Sequence, residues 1–173
     1  AGTVAVAVAA VGSVAMLYIG AATRQLDLPE IHRRLLFGSS VEVLFGVLGF
    51  VAAVTYLLTG AGPTPLESLI GRPSPAPVTF VALLILWDLC YRIGTSWWTA
   101  LVSLWRSLRI RVTPDTARRC RRIDAANVGF ALLELGLLPV VPANTLVVGA
   151  LLGHVVAVAA VSTAATLLIR TDR

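Results

Sequence analysis

Five ionisable side chains lie inside stretches of sequence that are otherwise long and apolar enough to cross a membrane. They are Glu42, Asp88, Arg92, Glu134 and His154. A charged group in hydrocarbon is costly unless it is paired or hydrated, so such residues are rare and usually face the interior of a helix bundle. These five residues are therefore the candidate functional residues of the chain.

Three of the five residues are predicted to lie close to the middle of the membrane. Counted at about 1.5 Å per residue, Asp88, Glu134 and His154 each fall about 15 Å from one edge of a hydrocarbon core about 30 Å thick. Arg92 is one helical turn closer to the cytoplasm than Asp88, and Glu42 is near the inner edge of its span. Asp88, Arg92, Glu134 and His154 are thus predicted to form a mid-membrane cluster, with Glu42 beside it.

The chemistry that this cluster indicates is the passage or sensing of a proton or small cation. Asp88 and Arg92 are four residues apart, so they share a helix face and are predicted to pair. This pairing leaves Glu134 without a strong fixed cation, and an unpartnered carboxyl group in a medium of low dielectric keeps its proton near neutral pH. His154 accepts or donates a proton in the same pH range. Carboxyl and imidazole groups at one depth are typical of proton relays and cation sites.

A purely structural role for the same residues stays open at this point. Asp88 and Arg92 would then be a satisfied pair that holds one helix against its neighbours, and Glu134 a neutral acid hydrogen-bonded across a helix interface. Glu42 follows two serines near the membrane edge, where its carboxylate can reach water. His154 would be a packed polar contact beside a glycine. The chain would in that case be a non-catalytic subunit or assembly partner of a membrane complex.

No pattern in the sequence indicates an enzyme, a cofactor or a metal centre. His32 and His154 are predicted at different depths, so one copy cannot place both on one haem iron, and the sequence offers no cluster of zinc ligands. Cys90 falls in an apolar stretch and Cys120 in a basic one, which argues against a disulfide between them. We therefore expect no cofactor and no metal. An intramembrane enzyme acting on lipids remains as a third hypothesis.

Composition places the chain in a membrane. Of 173 residues, 57% are hydrophobic and 13% charged, with a mean hydropathy of +0.86, whereas soluble domains carry about 25% charged residues. The apolar stretches predict a single all-α integral-membrane domain over residues 1–173, a bundle of five transmembrane helices. These helices are expected at about residues 1–22, 28–59, 78–107, 114–141 and 144–169.

The arginines predict the orientation of the bundle. The segment 23–35 holds three arginines and the segment 102–122 holds seven, whereas Arg72 stands alone in a loop at 60–77 that is rich in proline and glycine. The positive-inside rule then puts the N-terminus outside and the C-terminus in the cytoplasm. We expect a multi-pass protein of the cytoplasmic membrane of a prokaryotic cell.

Two helix starts are predicted on the cytoplasmic side. Asp27 is predicted to cap a helix that has Pro29 and Glu30 in its first turn. Thr113 is predicted to cap a second helix, in which Pro114 takes the first position.

Two further patterns concern partners. The basic stretch at 102–122 lies against the membrane and lacks interleaved aromatic residues, so it is predicted to attract anionic lipid headgroups and no nucleic acid. Its arginines are Arg106, Arg109, Arg111, Arg118, Arg119, Arg121 and Arg122. Gly149 and Gly153 form a small-xxx-small pattern in the last apolar helix, which favours close packing within the chain, between copies or against partner helices.

Overall fold

The computed structural model describes residues 2–59, 75–139 and 145–172, and helices make up most of it. Its elements in chain order are α1 (Gly2–Arg24), α2 (Glu30–Phe37), α3 (Val41–Leu58), α4 (Ala76–Arg109), β1 (Arg111–Val112), α5 (Pro114–Glu134), a 3₁₀ turn (Leu135–Leu137), α6 (Thr145–Leu168) and β2 (Arg170–Thr171). The all-α class is confirmed. Most of the predicted loop at 60–77, Arg72 included, lies outside the described residues.

Four segments of the described chain are long and apolar enough to cross a membrane. They are Thr3–Arg24, Glu30–Leu58, Ala76–Arg109 and Val147–Leu168. Between 6% and 22% of the residues in the most apolar 18-residue stretch of each segment are buried within the chain. This arrangement indicates a membrane protein, because exposing so much apolar surface to water is unfavourable.

α5 is not among these four segments, and its composition explains why. Six of its first eleven residues are charged, and the α-helix ends at Glu134, short of the predicted 141. The stretch from Ala125 through the 3₁₀ turn to Leu137, in which Glu134 is the one ionisable residue, spans about 20 Å at 1.5 Å per residue, less than a hydrocarbon core of about 30 Å. α5 on its own is therefore too short in its apolar part to count as a full span.

The helix predicted over 28–59 is divided into two helices. α2 ends at Phe37, α3 begins at Val41, and Ser40 between them has a left-handed backbone with a φ of 54°. The Ser39 hydroxyl donates a hydrogen bond of 2.6 Å to the carbonyl oxygen of Leu35. Side-chain bonds of this kind compete with helix continuation, and a left-handed residue cannot continue a right-handed helix.

The two predicted helix caps have different outcomes. Thr113 caps α5, since its hydroxyl oxygen accepts a hydrogen bond of 3.2 Å from the backbone N–H of Thr116. α2 begins only at Glu30, and its N-cap position is held by Pro29 without a side-chain bond. The prediction that Asp27 caps this helix is therefore wrong.

One apolar core cluster lies at the end of the bundle where the arginines gather. It includes Ile19 of α1, Leu26 of the turn that follows, and Ile123 of α5, all buried. β1 and β2 pair in parallel beside it, with Arg111 opposite Arg170. The connection from α4 to α5 and the C-terminal residues therefore lie at the same end of the bundle.

α3 and α4 pack backbone to backbone at Gly46 and Gly94. A Cβ atom on Gly94 would lie 2.8 Å from the amide nitrogen of Gly46 and 3.0 Å from the carbonyl oxygen of Glu42. A Cβ atom on Gly46 would lie 3.0 Å from the Cα of Tyr91. Small residues at a helix crossing permit this approach, which is how helices associate closely within lipid.

Gly94→Ala is expected to destabilise the bundle. The new methyl group would meet backbone atoms of α3, which cannot move aside unless the helices separate, and overpacking of this kind costs about 1–3 kcal/mol. Gly129→Ala in α5 is the matched control, because a Cβ there meets nothing within 4 Å. Alanine is favoured over glycine in a helix by about 1 kcal/mol, so the control should hold or raise the melting temperature in detergent. A Gly94→Ala protein as stable as the control would contradict the close crossing.

Candidate functional site

Glu134 and His154 form a buried contact between α5 and α6. The Oε2 atom of Glu134 lies 3.2 Å from the Nε2 atom of His154, and the two side chains are 1% and 11% exposed. Both carboxyl oxygens of Glu134 and the Nε2 atom of His154 are buried, and none of the three has a hydrogen-bond partner among the described residues. The pair therefore joins two groups able to share one proton across a helix interface.

Tight apolar packing on both sides fixes this contact. Ala131 lies one turn before Glu134, Val158 lies one turn after His154, and both are fully buried. Ala100 of α4 packs into the same core cluster. Because α4, α5 and α6 meet in this cluster, the rotation of each helix about its own axis is set there. The acid and the imidazole are thereby turned towards each other.

Asp88 and Arg92 form an ion pair along α4, as their spacing predicts. The Nη1 atom of Arg92 also donates a hydrogen bond of 2.8 Å to the carbonyl oxygen of Ala9 in α1. Gly12 faces this guanidinium, and a Cβ atom there would lie 3.4 Å from Nη1. The charges of Asp88 and Arg92 thus neutralise each other, and Arg92 also connects α4 to α1.

Two cavities follow each other along the helices, and the Asp88–Arg92 pair borders both. The large cavity, of about 820 Å³, is also bordered by Glu134 and His154. The small cavity, of about 430 Å³, is also bordered by Glu42. α1 lines the large cavity with its first half and the small cavity with its second half, so the two lie at successive depths. All five ionisable residues predicted from the sequence therefore line one of two adjoining cavities.

Glu42 is the member of the predicted set that stands apart. It lies in the first turn of α3, half-buried, and its Oε2 atom has no hydrogen-bond partner in the described part of the chain. No ion pair among the described residues joins it to the other four. Its connection to the cluster is only that it lines the same small cavity as Asp88 and Arg92.

Residues 1–165 match the model of a family described as a family of unknown function, DUF7530. The chain belongs to the DUF7530 family. The matched region contains all five ionisable residues and the whole lining of both cavities. No curated protein and no solved structure matches the chain. Because the family assignment carries no activity, the geometry of the site has to indicate the function.

This DUF7530 chain also has a fully buried ion pair that the sequence does not predict. The Nη2 atom of Arg106 in α4 lies 2.8 Å from the Oδ2 atom of Asp124 in α5, and the two side chains are 2% and 1% exposed. His32 of α2 is also buried. Because Arg106 is buried in the ion pair with Asp124, it is not available to lipid headgroups. It is therefore not among the arginines that we expect to bind them.

Buried polar side chains continue from Thr99, which borders the small cavity, towards this ion pair. We use the name polar row for Ser96, Thr99, Ser103 and Ser107 of α4 with Asp124 and Asn127 of α5, all buried. The side-chain amide of Asn127 donates a hydrogen bond of 3.0 Å to the carbonyl oxygen of Ser96. Several oxygens of the polar row have no partner in the described chain, and buried groups of this kind are commonly satisfied by ordered water. The spacing of three or four residues along α4 is the signal that would have found it.

The glycines of α6 have no tight contact within the chain. A Cβ atom on Gly149 or Gly153 would meet nothing within 4 Å in the described part of the structure. The close packing predicted for this pair is thus not made with any described part of the chain. Packing against another copy or a partner helix stays a prediction.

Proposed function

We propose that this DUF7530 protein passes or senses a proton through the cluster formed by Asp88, Arg92, Glu134 and His154, with Glu42 beside it. The observation that carries the proposal is the 3.2 Å contact between Glu134 and His154, buried at the edge of a cavity that a second charged pair also borders. A carboxyl group and an imidazole at this distance are close enough to pass a proton from one to the other.

A proton fits this site better than a metal cation. The described residues contain no group of three or more His, Cys, Asp or Glu side chains placed to hold a metal ion. Alkali and alkaline-earth cations need several oxygen ligands, whereas a proton needs one donor and one acceptor. The polar row provides hydroxyl, amide and carboxylate groups between the small cavity and the end of the bundle that is rich in arginine. We propose that the proton follows this row.

Flux measurements in proteoliposomes test the proposal. The full chain is reconstituted with an internal pH-sensitive dye, and a pH step is applied while potassium and valinomycin hold the membrane potential at zero. We expect a proton flux above that of protein-free vesicles and no response from sodium- or potassium-sensitive dyes. No flux above the protein-free level at any pH would reject proton passage and favour the alternative, a non-catalytic subunit whose buried charges are structural.

The proposed topology has five crossings, with the N-terminus outside and the C-terminus in the cytoplasm. α5 would complete the set of five by entering the bilayer with its charged first half at the cytoplasmic surface. At that surface we propose that six exposed arginines meet anionic lipid headgroups. They are Arg109, Arg111, Arg118, Arg119, Arg121 and Arg122.

Cysteine labelling of intact cells is expected to show this orientation. The native Cys90 and Cys120 are buried, and burial raises the pKa of the Cys120 thiol, so both should react slowly with maleimides. Arg122→Cys and Ala76→Cys place exposed thiols at opposite ends of the bundle. An impermeant maleimide should label Ala76→Cys in intact cells and Arg122→Cys only after the membrane is permeabilised. The reverse pattern would show that the topology is inverted.

A further inference from the structure

The small cavity lies at the level of lipid headgroups and opens towards lipid. Arg24 borders it and ends the segment Thr3–Arg24, which at 1.5 Å per residue is about 33 Å long, enough to cross a hydrocarbon core of about 30 Å. Leu17 and Phe37 also border the cavity and are 73% and 39% exposed, so its mouth is apolar. A molecule that enters from this side comes from the bilayer.

Two hydroxyl groups of the small cavity are available only as hydrogen-bond acceptors. Ser13 and Thr95 each donate a hydrogen bond of 2.9 Å to the carbonyl oxygen four residues earlier in their own helix. Their hydrogen atoms are thus committed, whereas lone pairs on their oxygens remain. The ring N–H of Trp98, which also borders the cavity, is committed to the carbonyl oxygen of Leu35 at 2.9 Å. This lining suits a ligand that brings its own N–H donors.

Glu42 is the carboxylate of the small cavity that lacks a counter-charge. Asp88 and Arg92 neutralise each other, whereas no ion pair among the described residues includes Glu42. The two oxygens of Glu42 differ in accessibility, since Oε2 is fully buried and without a partner, and Oε1 keeps accessible surface. Oε1 is therefore the atom that a ligand in the cavity can reach. A cation that donates hydrogen bonds is its complement, because a nearby opposite charge favours the ionised carboxyl group.

Arg24 brings a positive charge to the rim of the same cavity. The central carbon of its guanidinium lies 4.7 Å from the centroid of the Phe37 ring, and the residue is exposed. A guanidinium stacked on a ring keeps the N–H groups at its edge free, and their fork matches the oxygens of a phosphate group. The cavity therefore presents an unpaired anion inside and a free cation at its mouth.

We propose that the small cavity holds the headgroup of a zwitterionic phospholipid with a primary ammonium group, as in phosphatidylethanolamine. The ammonium group donates to Oε1 of Glu42, the phosphate accepts from Arg24, and an acyl chain lies along Leu17. A trimethylammonium group has no N–H to donate, and an anionic headgroup without an ammonium would leave Glu42 unpaired. The six arginines proposed to bind anionic headgroups do not border this cavity. The site goes beyond proton passage and does not depend on it.

Native mass spectrometry of the full chain tests this site. The protein is reconstituted in nanodiscs with equal amounts of phosphatidylethanolamine, phosphatidylcholine and phosphatidylglycerol, then released into detergent, and the lipids that stay bound are counted. We expect one phosphatidylethanolamine to be retained in preference to phosphatidylcholine. Glu42→Gln should reduce this preference about tenfold, whereas Arg24→Gln should lower the retention of both lipids, since both carry the phosphate. Glu30→Gln is the matched control, because this carboxylate is 87% exposed and outside the cavity.

N-methylated lipids test the same site without any variant. Retention by the wild type should fall from phosphatidylethanolamine through its N-methyl and N,N-dimethyl derivatives to phosphatidylcholine, as N–H donors are removed. Equal retention of the first and last lipids by the wild type would overturn the proposal, and so would a preference that a folded Glu42→Gln protein keeps. Proton flux is measured in separate vesicles, so a failure of this proposal is distinguishable from a failure of proton passage.

Discussion

Asp124→Asn is expected to lower the free energy of unfolding by about 3–5 kcal/mol, because it leaves the Arg106 cation buried without a counter-charge. Both side chains of this pair are almost fully buried, and α4 and α5 meet through it. The effect is measured by thermal or SDS-induced unfolding in mixed micelles. Replacing both residues, Arg106→Met with Asp124→Leu, should recover most of the loss, since a well-packed apolar pair is often as stable as a buried ion pair.

An exposed ion pair of the same helix gives the control. Asp115 contacts Arg118 and Arg119, and all three side chains are more than half exposed. The hydrogen bond from Arg118, with the charge of Arg119, lowers the pKa of Asp115. Any stability that this carboxylate contributes is therefore present above its ordinary pKa and is lost as the pH falls through the lowered value. Asp115→Asn should change stability little, because exposed pairs contribute little. Equal losses for Asp115→Asn and Asp124→Asn would contradict the buried pair.

Glu134→Gln is expected to lower the proton flux on the order of a hundredfold, which is typical for loss of a proton-transferring group. Glutamine keeps the shape and hydrogen-bonding capacity of a protonated glutamate, so the fold should be retained. The measurement is the dye assay in proteoliposomes, with unfolding followed in parallel on the same preparation. A pH dependence between about pH 5 and 8 in the wild type should disappear in the variant.

Glu30→Gln is the matched control for this variant. The carboxylate of Glu30 is 87% exposed and lies far along the chain from the cluster, so the same change should leave the flux and its pH dependence intact. A Glu134→Gln protein that is folded and conducts protons at the wild-type rate would exclude Glu134 from the route. Loss of flux in both variants would point to a surface effect of charge rather than to the buried pair.

The sequence was sufficient for the parts of the structure that depend on local spacing. Long apolar runs predict the helices, and four helical segments of the described chain are long and apolar enough to cross a membrane. The four-residue separation of Asp88 and Arg92 predicts their ion pair, because residues at this spacing share one helix face. Counting the rise per residue also predicts similar depths for Glu134 and His154, which a contact at a helix interface requires.

The features that the sequence does not predict depend on how the helices are rotated about their axes and how they pack. That Glu134 and His154 face each other is set by the packing of α4, α5 and α6, which the depth of a residue does not reveal. The basic stretch at 102–122 predicts a surface position for Arg106, and only the position of Asp124 on the facing helix explains its burial. The break before α3 arises from the backbone of Ser40, close to the predicted membrane edge, where an apolar pattern gives no signal.

Infrared spectra of the protein in lipid bilayers, recorded between about pH 5 and 8, test most directly whether the Glu134–His154 pair exchanges a proton. The structure brings the two groups to 3.2 Å. We expect a protonated-carboxyl band whose intensity changes across this range, which is absent from Glu134→Gln and retained in Glu30→Gln. A Glu134 carboxyl that stays fully ionised, or fully protonated, across the whole range would contradict the proposed proton exchange.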